Sequence, residues 1–577
     1  MRLLFVGLDG FDYFLAQKWI EDGELPNLRQ VVTGGDLYPL ESLVPPLSPA
    51  VWTSILTGKN PGYHGVFDFT LFDRRKKSVE LLEEFTRKVP NIFEILSLVG
   101  RGICAIGFPC TTPVEGYKIE GAVLSGWSNP FSVMGGRGNC TPGWVHDELV
   151  KVAGKGYLPF DVINQFAAHD ERDAEWMVSK MEDSAIARTQ IALFVANSML
   201  SDSSEILAVY FPEGDAAGHH LWHLHDPNSP RRRGGKGKGG NTGGAPLLRV
   251  YRALDRAVGI LIEGYKPDVA IIVSDHGMGG SGNMAFSLNR ALSEVGMCKF
   301  KGKGWLKMFL PGLVEDFIFS AIGKIPPGLR QTLVKTKSHF RKLSTESLTL
   351  MRLGGIDFGG SIAFSEDAGL VPSLWINDDL LGLQNYSRGV EDGEDEIDEK
   401  EEEKIQIERE KIATRVIKEL EEVSSFRKVV KSAWLKSTLY EGPYSKRIPD
   451  VIFELNLDEG YSYNMVPGLF REMKNTVEPL PAKYLSGVKG RTRHGSHRKT
   501  GVFILSKNSL LSGVNLGIYE IAPFILSLYG LERDRIESVA DNCIKEQKYT
   551  IPQKAFHDSH SVDLWVLRER LEGLGYL

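Results

Sequence analysis

Short apolar runs recur along the chain and predict strands. They lie at 3–8, 102–108, 206–211, 269–274, 451–455 and 501–505. Several are apolar at nearly every position, which is typical of strands buried on both faces of a mainly parallel sheet. Between the runs, residues 184–198 and 247–265 carry apolar side chains at helical spacing. This alternation predicts an α/β fold in which helices flank a central, mainly parallel sheet.

Three segments interrupt the pattern. Residues 230–246 are rich in Gly, Lys and Arg and predict a mobile loop. Residues 391–411 are an acidic run mixed with Lys and Arg, for which a solvated helix or disordered insertion is favoured over a docking surface. Residues 305–342 mix apolar and basic side chains around a Pro-Pro pair. They predict an insertion packed on the core, with peripheral membrane contact as the alternative.

Composition narrows the class of protein. A chain of 577 residues exceeds one compact core, and a formal net charge of −6 gives no support to binding of a nucleic-acid polymer. The five Cys include no CxxC pair, which argues against a disulfide framework and a structural zinc site and favours a cytoplasmic location. The first apolar run is shorter than the ~7 residues of the shortest signal-peptide core, and none approaches the ~18 residues of a membrane span.

Asp9 directly follows the first predicted strand and precedes Gly10. A carboxylate at the end of a strand can reach a metal ion, while glycine lets the chain turn sharply. Taken alone, the residue fits a helix cap equally well.

Ser48 lies in VPPLSPAVWTSILTG, and a helix is predicted to begin directly after it. This position places the hydroxyl at a helix N-terminus, where free N–H groups and the helix dipole favour bound anions. A plain N-cap serine is the alternative, so the local signal is weak.

The segment EGDAAGHH follows another predicted strand. Asp215 and His219 are four positions apart, so a helical turn puts both on one face. A carboxylate with an imidazole suits Zn or Mn. The additional histidines nearby, His220, His223 and His225, are interpreted as incidental.

Asp275 and His276 follow the predicted strand of IIVSDHGMGG without a spacer. Open α/β sheets bind ligands at the carboxyl ends of their strands, and both side chains are common metal ligands. The pair therefore favours a functional site over a structural loop.

Together these motifs resemble the alkaline-phosphatase superfamily. The closest resemblance is to its type I phosphodiesterase/nucleotide pyrophosphatase branch, including the predicted phosphohydrolase/phosphomutase group. It is carried, in the family's order, by LDGFD, LPNL, the Ser48 segment with its TGKNPGYHG tail, GDAAGH, SDHGMGG and HGSHRKTGVFI. Weaker similarity in FPCTTPVEG, SGWSNP, EGPYSKRIPDVIFE and IYEIAPFILSLYGL extends it over most of the chain.

The resemblance implies an alkaline-phosphatase-like layered fold with cap insertions. The catalytic core would comprise 1–130, 204–300 and 350–577. A helical cap would occupy 131–203, an amphipathic insertion 301–349 and a charged insertion 387–415.

The resemblance also implies two divalent metal ions, Zn or Mn, as cofactors. Asp9, Ser48, Asp275 and His276 would surround one ion, and Asp215, His219 and His497 would hold the other. His494 is the rival for the last position. His497 is preferred because it follows Gly-Ser and precedes the predicted strand GVFIL.

The activity implied is that of a metal-dependent phosphohydrolase, a phosphodiesterase or a phosphomonoesterase, acting on a small phosphorylated substrate. Ser48 would be the nucleophile and would form a phosphoserine intermediate. A cofactor-independent phosphomutase and a non-catalytic binder of phosphorylated ligands are the alternatives. The sequence leaves the oligomeric state open.

Two positions depart from the nucleotide pyrophosphatases that the chain resembles. In those enzymes an Asn closes an HGxxDN motif and helps hold a phosphate oxygen, whereas HGVFDF ends in Phe69. They also usually carry Thr at the position of Ser48. The first departure puts a diester substrate in doubt. The segment after Ser48 lacks the xPxR of sulfatases, which argues against a sulfatase.

Overall fold

The computed structural model describes most of the chain. The described residues are 1–82, 86–113, 118–127, 137–154, 171–199, 205–232, 245–301, 345–353, 355–367, 372–381, 399–465, 473–481, 485, 493–507, 510 and 516–531. The predicted insertion at 305–342, most of the predicted loop at 230–246 and the first part of the acidic run lie outside them.

Eighteen strands occur in the described ranges. In chain order they are β1 Leu3–Leu8, β2 Asp36–Glu41, β3 Thr70–Asp73, β4 Ser78–Leu81, β5 Ile103–Ile106, β6 Gly121–Leu124, β7 Cys140–Thr141, β8 Ile206–Phe211, β9 Val269–Val273, β10 Gly277–Phe286, β11 Ala363–Phe364, β12 Ser373–Ile376, β13 Val430–Leu435, β14 Val451–Leu455, β15 Ser462–Met465, β16 Val477–Pro479, β17 Gly495–Arg498 and β18 Thr500–Leu505.

Helices connect and cover these strands. The α-helices are α1 Tyr13–Glu21, α2 Pro26–Gly34, α3 Ser48–Thr57, α4 Pro61–His64, α5 Ile92–Leu98, α6 Gly143–Ala153, α7 Glu171–Phe194, α8 Glu213–His225, α9 Ala245–Tyr265, α10 Leu288–Glu294, α11 Thr345–Leu353, α12 Glu399–Glu421, α13 Ser424–Val429, α14 Lys436–Leu439 and α15 Ile521–Ser527. Short 3₁₀ turns occur at Arg137–Asn139, Asp378–Leu381, Ser445–Arg447 and Ile518–Glu520, and a π-helical turn, Val195–Met199, extends α7.

The largest sheet has eight strands in the order β2-β18-β9-β1-β8-β5-β6-β7. Its five central strands, from β9 to β6, run parallel, and β18 and β7 are antiparallel to their inner neighbours. In β1, which lies between β8 and β9, Leu8 is in register with Phe211, and Gly7 with Val273. The three strands therefore end at the same edge of the sheet.

The apolar runs form these strands because both faces of the sheet are buried. In β1, Leu4 and Val6 pack on the face covered by α1, α2 and α6 to α9, whereas Leu3 and Phe5 pack on the face covered by α3, α5 and α15. Every residue of β1, β8 and β9 is buried. A strand with two buried faces needs apolar side chains at successive positions, which explains the lack of alternation in the sequence.

A second group of strands packs beside this sheet. β11, β12, β14 and β13 form an antiparallel sheet, while β10 pairs with β15, β16 and β17. Helices α10, α11 and α12 contribute side chains to the core of this group. The long strand β10 begins immediately after His276, so it links the end of the large sheet to the second group.

The observed elements confirm the predicted α/β class with its mainly parallel sheet. The helix predicted at 247–265 is α9, and the one at 184–198 is the end of the longer α7 with its π-helical turn. The run at 451–455, predicted as a strand, is β14, which pairs antiparallel with β12 and β13 in the second group. A run of five residues is too short to distinguish the two kinds of sheet.

The latter part of the acidic run is helical rather than irregular. It belongs to α12, which buries Ala413, Val416 and Leu420 in the core of the second group. The division into core, cap and insertions stays a prediction.

Two further expectations concerned disulfide bonds between the cysteines and membrane-spanning segments. Cys104, Cys110, Cys140 and Cys298 are buried free thiols. Across the described ranges, no helix has both the length and the apolar character needed to cross a bilayer.

A buried charge network joins the β3–β4 hairpin to the antiparallel sheet. Asp450 is 3% exposed and accepts from Arg74 Nη2 at 2.8 Å, Lys436 Nζ at 3.2 Å and the Ile376 N–H at 2.8 Å. Burial lowers the pKa of Lys436 to about 8, and the neighbouring cations hold that of Asp450 below its usual range although burial opposes this. A charged group buried among partners becomes costly when one partner is removed.

Replacing Asp450 by Asn should leave Arg74 and Lys436 without their shared anion. We expect this change to destabilise the protein by about 3–5 kcal/mol, measured as a lower urea midpoint. The matched control is Asp22→Asn, which removes an exposed ion pair with Lys18 and should change the midpoint little. Equal midpoints for the two variants would show that the network does not hold the hairpin in place.

Candidate active site

Three carboxylates meet at the carboxyl edge of the large sheet. Asp9 directly follows β1, Asp215 lies in the first turn of α8 just after β8, and Asp275 lies two positions after β9. Asp9 and Asp275 are almost fully buried, at 2% and 0% exposure. The register of three parallel strands thus brings together residues that are far apart in sequence.

Backbone groups hold the loops after β1 and β9 against each other. The N–H of Gly10 donates to Asp275 Oδ1 at 3.2 Å, and the N–H of Phe11 donates to Ser274 Oγ at 2.9 Å. Asp12 caps α1 and also accepts from the N–H of Met278 at 3.2 Å. The helix cap in this loop is therefore Asp12, which leaves the Asp9 carboxylate available to the site.

Gly10 is required by the close approach of these loops. Its φ is +63°, and a Cβ at this position would lie 2.6 Å from the Cα of Asp215. A side chain there would push the β1 loop away from α8.

Ser48 is the first residue of α3, one position earlier than predicted. The cap position is taken by Leu47, which makes no side-chain capping bond, so Ser48 is not an N-cap serine. Its side chain is buried, and Oγ lies 3.2 Å from His276 Nε2. The hydroxyl therefore points into the site instead of satisfying its own helix.

His276 connects this serine with the first two carboxylates. Its Nε2 lies 3.5 Å from Asp9 Oδ1 and 3.3 Å from Asp275 Oδ2. The ring also stacks on His497, with centroids 3.6 Å apart.

A second group of side chains lies beside the first. Asp215 Oδ1 is 3.1 Å from Nε2 of both His219 and His497, and the two Nε2 atoms are 3.0 Å apart. His219 lies one helical turn after Asp215 in α8, as the spacing predicts. His497 comes from β17, whose pairing with β10 places it opposite Met278.

The three imidazoles are oriented in the same way. Their Nδ1 atoms contact backbone carbonyl oxygens, at 2.8 Å for His219 to Gly495, 2.7 Å for His497 to Pro46 and 3.0 Å for His276 to Gly277. A ring that donates from Nδ1 carries its lone pair on Nε2. All three Nε2 atoms face the carboxylates, which is the arrangement that metal-binding histidines adopt.

Burial and mutual repulsion perturb the acidic groups. The pKa of Asp9 is raised well above its usual range by burial and by the neighbouring Asp275 and Asp215. Burial also raises the pKa of Asp275 to about 8. The opposite holds for Asp215, whose pKa is held well below the usual range by His219 and His497 although burial acts against this. Burial, reinforced by the neighbouring His276, lowers the pKa of His497 to about 3.

The donor atoms fit divalent cations. One group comprises Asp9, Asp275 and His276, and another comprises Asp215, His276 and His497; within each, the ligand atoms lie within 4.8 Å of one another. Asp9 Oδ1 and Asp275 Oδ2 are buried and have no hydrogen-bond partner among the described residues. Buried carboxylate oxygens require a hydrogen-bond donor or a cation, and oxygen with imidazole nitrogen suits Zn or Mn.

His219, whose Nε2 contacts Asp215 and His497, adjoins the second group, whereas His494, His225 and Phe69 lie outside both groups. His494 stacks on His223 with ring centroids 3.7 Å apart, and His225 packs edge-on against Trp19. Phe69 lies against Trp127, with centroids 5.1 Å apart.

Sequence reasoning missed the side chains that hold Asp9. Tyr210 Oη and Trp52 Nε1 both donate to Asp9 Oδ2, the latter at 3.3 Å. Both residues are buried and lie within apolar runs, where they look like ordinary core residues. The one available signal is that a buried Tyr or Trp usually needs a polar partner.

The chain is similar to known proteins in both sequence and structure. A family model described as type I phosphodiesterase/nucleotide pyrophosphatase matches residues 3–351. No curated protein sequence matches the chain. Phosphonoacetate hydrolase from Sinorhizobium meliloti, solved with phosphonoformate, aligns at 13% identity and TM-score 0.45 over 92% of this chain and 96% of that chain. Human ectonucleotide pyrophosphatase/phosphodiesterase 5 aligns at 12% identity and TM-score 0.44 over 92% and 95%.

The family match covers more than half of the chain and includes β1, Ser48, α8 and the loop after β9. It confirms the resemblance drawn from the sequence motifs. The chain belongs to the type I phosphodiesterase/nucleotide pyrophosphatase family of the alkaline-phosphatase superfamily and is a hydrolase acting on phosphoric ester bonds.

Proposed function

We propose that this hydrolase uses Ser48 as nucleophile beside two divalent metal ions, Zn or Mn, and acts on a small phosphorylated substrate. The observation that carries the proposal is the shared orientation of the three imidazoles, whose Nε2 atoms all face carboxylates of the site. Asp9, Asp275 and His276 would hold one ion with Ser48 beside it. Asp215, His219 and His497 would hold the other.

The pair of ions would supply positive charge that lowers the pKa of the serine hydroxyl and neutralises the phosphate oxygens. The chain supplies the geometry. Ser48 stands at the N-terminus of α3, where the helix dipole favours an anion. Its Oγ would bond to phosphorus as the bond from phosphorus to the leaving oxygen breaks. Water would then cleave the phosphoseryl ester and regenerate the hydroxyl.

A residue that departs from the family pattern also bears on the substrate. Phe69 stands where the related pyrophosphatases have an Asn, and its ring packs against Trp127. A phenyl ring offers no hydrogen bond to a phosphate oxygen. We therefore keep both a phosphomonoester and a phosphodiester as substrate classes. The buried free thiols accord with the cytoplasmic location predicted from the sequence.

Hydrolysis of p-nitrophenyl phosphate and bis-p-nitrophenyl phosphate should separate these classes. With Zn or Mn supplied, we expect turnover of at least one compound, loss of activity on chelation and recovery when the metal is restored. The product p-nitrophenol is followed by absorbance. Failure of fully metal-loaded protein to cleave either compound would count against a catalytic role.

Ser48→Ala should lower kcat by at least about 10³-fold, because covalent catalysis loses its nucleophile. Metal content, measured by elemental analysis, should remain near that of the wild type. The control is Thr57→Ala in the same helix, whose hydroxyl bonds only the local backbone and should leave kcat nearly unchanged. Wild-type turnover by Ser48→Ala would refute the nucleophile assignment.

His497→Ala should cause the loss of one of two bound ions and of most activity, because it removes a ligand from the second group. His494→Ala is the matched control, since this neighbouring histidine stacks on His223 and belongs to neither ligand group. We expect the control to retain both ions in elemental analysis. The reverse result, with metal lost only from His494→Ala, would assign the ligand to His494.

A further inference from the structure

Asp9 presents its two carboxylate oxygens to different surroundings. Oδ2 accepts hydrogen bonds from Tyr210 Oη and from Trp52 Nε1. Oδ1 is buried, has no hydrogen-bond partner among the described residues and lies 3.5 Å from His276 Nε2. Oδ2 is therefore bound by protein donors, whereas Oδ1 faces His276 in the group of candidate metal ligands.

The direction of these hydrogen bonds follows from the chemistry of the donors. An indole N–H can only donate, so Trp52 must donate to Asp9. Trp127 Nε1 also donates, to Tyr210 Oη at 3.3 Å, which leaves the tyrosine proton for Asp9 Oδ2. In this series of hydrogen bonds, Trp127 donates to Tyr210 and Tyr210 donates to the Asp9 carboxylate.

The side chains that provide these donors are themselves held firmly. Tyr210 lies in β8 and is 0% exposed, as is Trp52 in α3. The two rings contact each other edge-on, with centroids 5.4 Å apart, and both contact Phe108. Since they come from a central strand and from the helix that carries Ser48, they fix the Asp9 carboxylate relative to both.

We propose that Tyr210 and Trp52 are positioning residues that make Asp9 a ligand through Oδ1 alone. This inference rests on the two-metal site proposed above. With Oδ2 saturated by two donors, Asp9 cannot rotate to offer both oxygens to one ion. Groups of this kind, which orient metal ligands, typically contribute 10–100-fold to metal affinity.

The test is titration of metal-free protein with Co²⁺, followed by visible absorption and by competition with a chelator. Tyr210→Phe should bind one of two ions about 10–100-fold more weakly and the other as the wild type does. Its Co²⁺ spectrum should also change, because the released carboxylate can adopt another binding mode. Trp127→Phe retains the bond from Tyr210 to Asp9 and should show a smaller loss.

Tyr265→Phe is the control, because Tyr265 is equally buried but lies at the end of α9, where Arg2 stacks on its ring. It should bind both ions normally. Should Tyr210→Phe not be recovered folded, Trp52→Phe removes the other donor to the same oxygen and must weaken the same ion.

Unchanged affinities in a folded Tyr210→Phe protein, with only a lower melting temperature of the metal-free form, would overturn the positioning role while leaving the two-metal proposal intact. If wild-type protein takes up no Co²⁺, the proposed function fails as well.

Discussion

The close approach of three carboxylates, two of them almost fully buried, is the constraint to which the rest of the site responds. Burial and the neighbouring Asp275 and Asp215 raise the pKa of Asp9, which opposes the ionisation of this carboxylate. Backbone N–H groups and the side chains of Tyr210 and Trp52 stabilise some of the oxygens, but Asp9 Oδ1 and Asp275 Oδ2 receive none of these bonds. Two divalent cations would more than balance the three negative charges. The excess would attract a phosphate group to Ser48.

Residues at the ends of buried strands were the most predictable part of the site. Asp9 and Asp275 follow continuous apolar runs, and parallel strands bring their carboxyl ends to one edge. The spacing of Asp215 and His219 likewise determined a shared helix face. His497 required the family resemblance, because its position depends on the pairing of β17 with β10, which no local pattern encodes. Tyr210 and Trp52 remained hidden because a buried aromatic residue looks the same whether or not its polar atom is used.

The fold was predictable to a similar extent. Apolar runs identified β1, β5, β8, β9 and β18 of the large sheet, because burial on both faces imposes that pattern, but β2, β6 and β7 were not predicted. The run that forms β14 was also predicted as a strand, but its five residues do not show that its neighbours are antiparallel. The direction of a strand depends on the segments that connect it to its neighbours. The segment between β12 and β13 contains the acidic run. The latter part of that run belongs to α12, which extends to Glu421 and covers the core of the second group.

The site also has a consequence for folding. Asp215 and His497 are 282 positions apart, and Ser48 and His276 are 228 apart, yet each pair is in contact. An ion bound between such distant segments acts as a cross-link that the unfolded chain cannot reproduce. Binding free energy is then also folding free energy, about 4 kcal/mol at a free-ion concentration 1,000 times the dissociation constant. The thermal tolerance of this enzyme would therefore follow the metal supply of its surroundings.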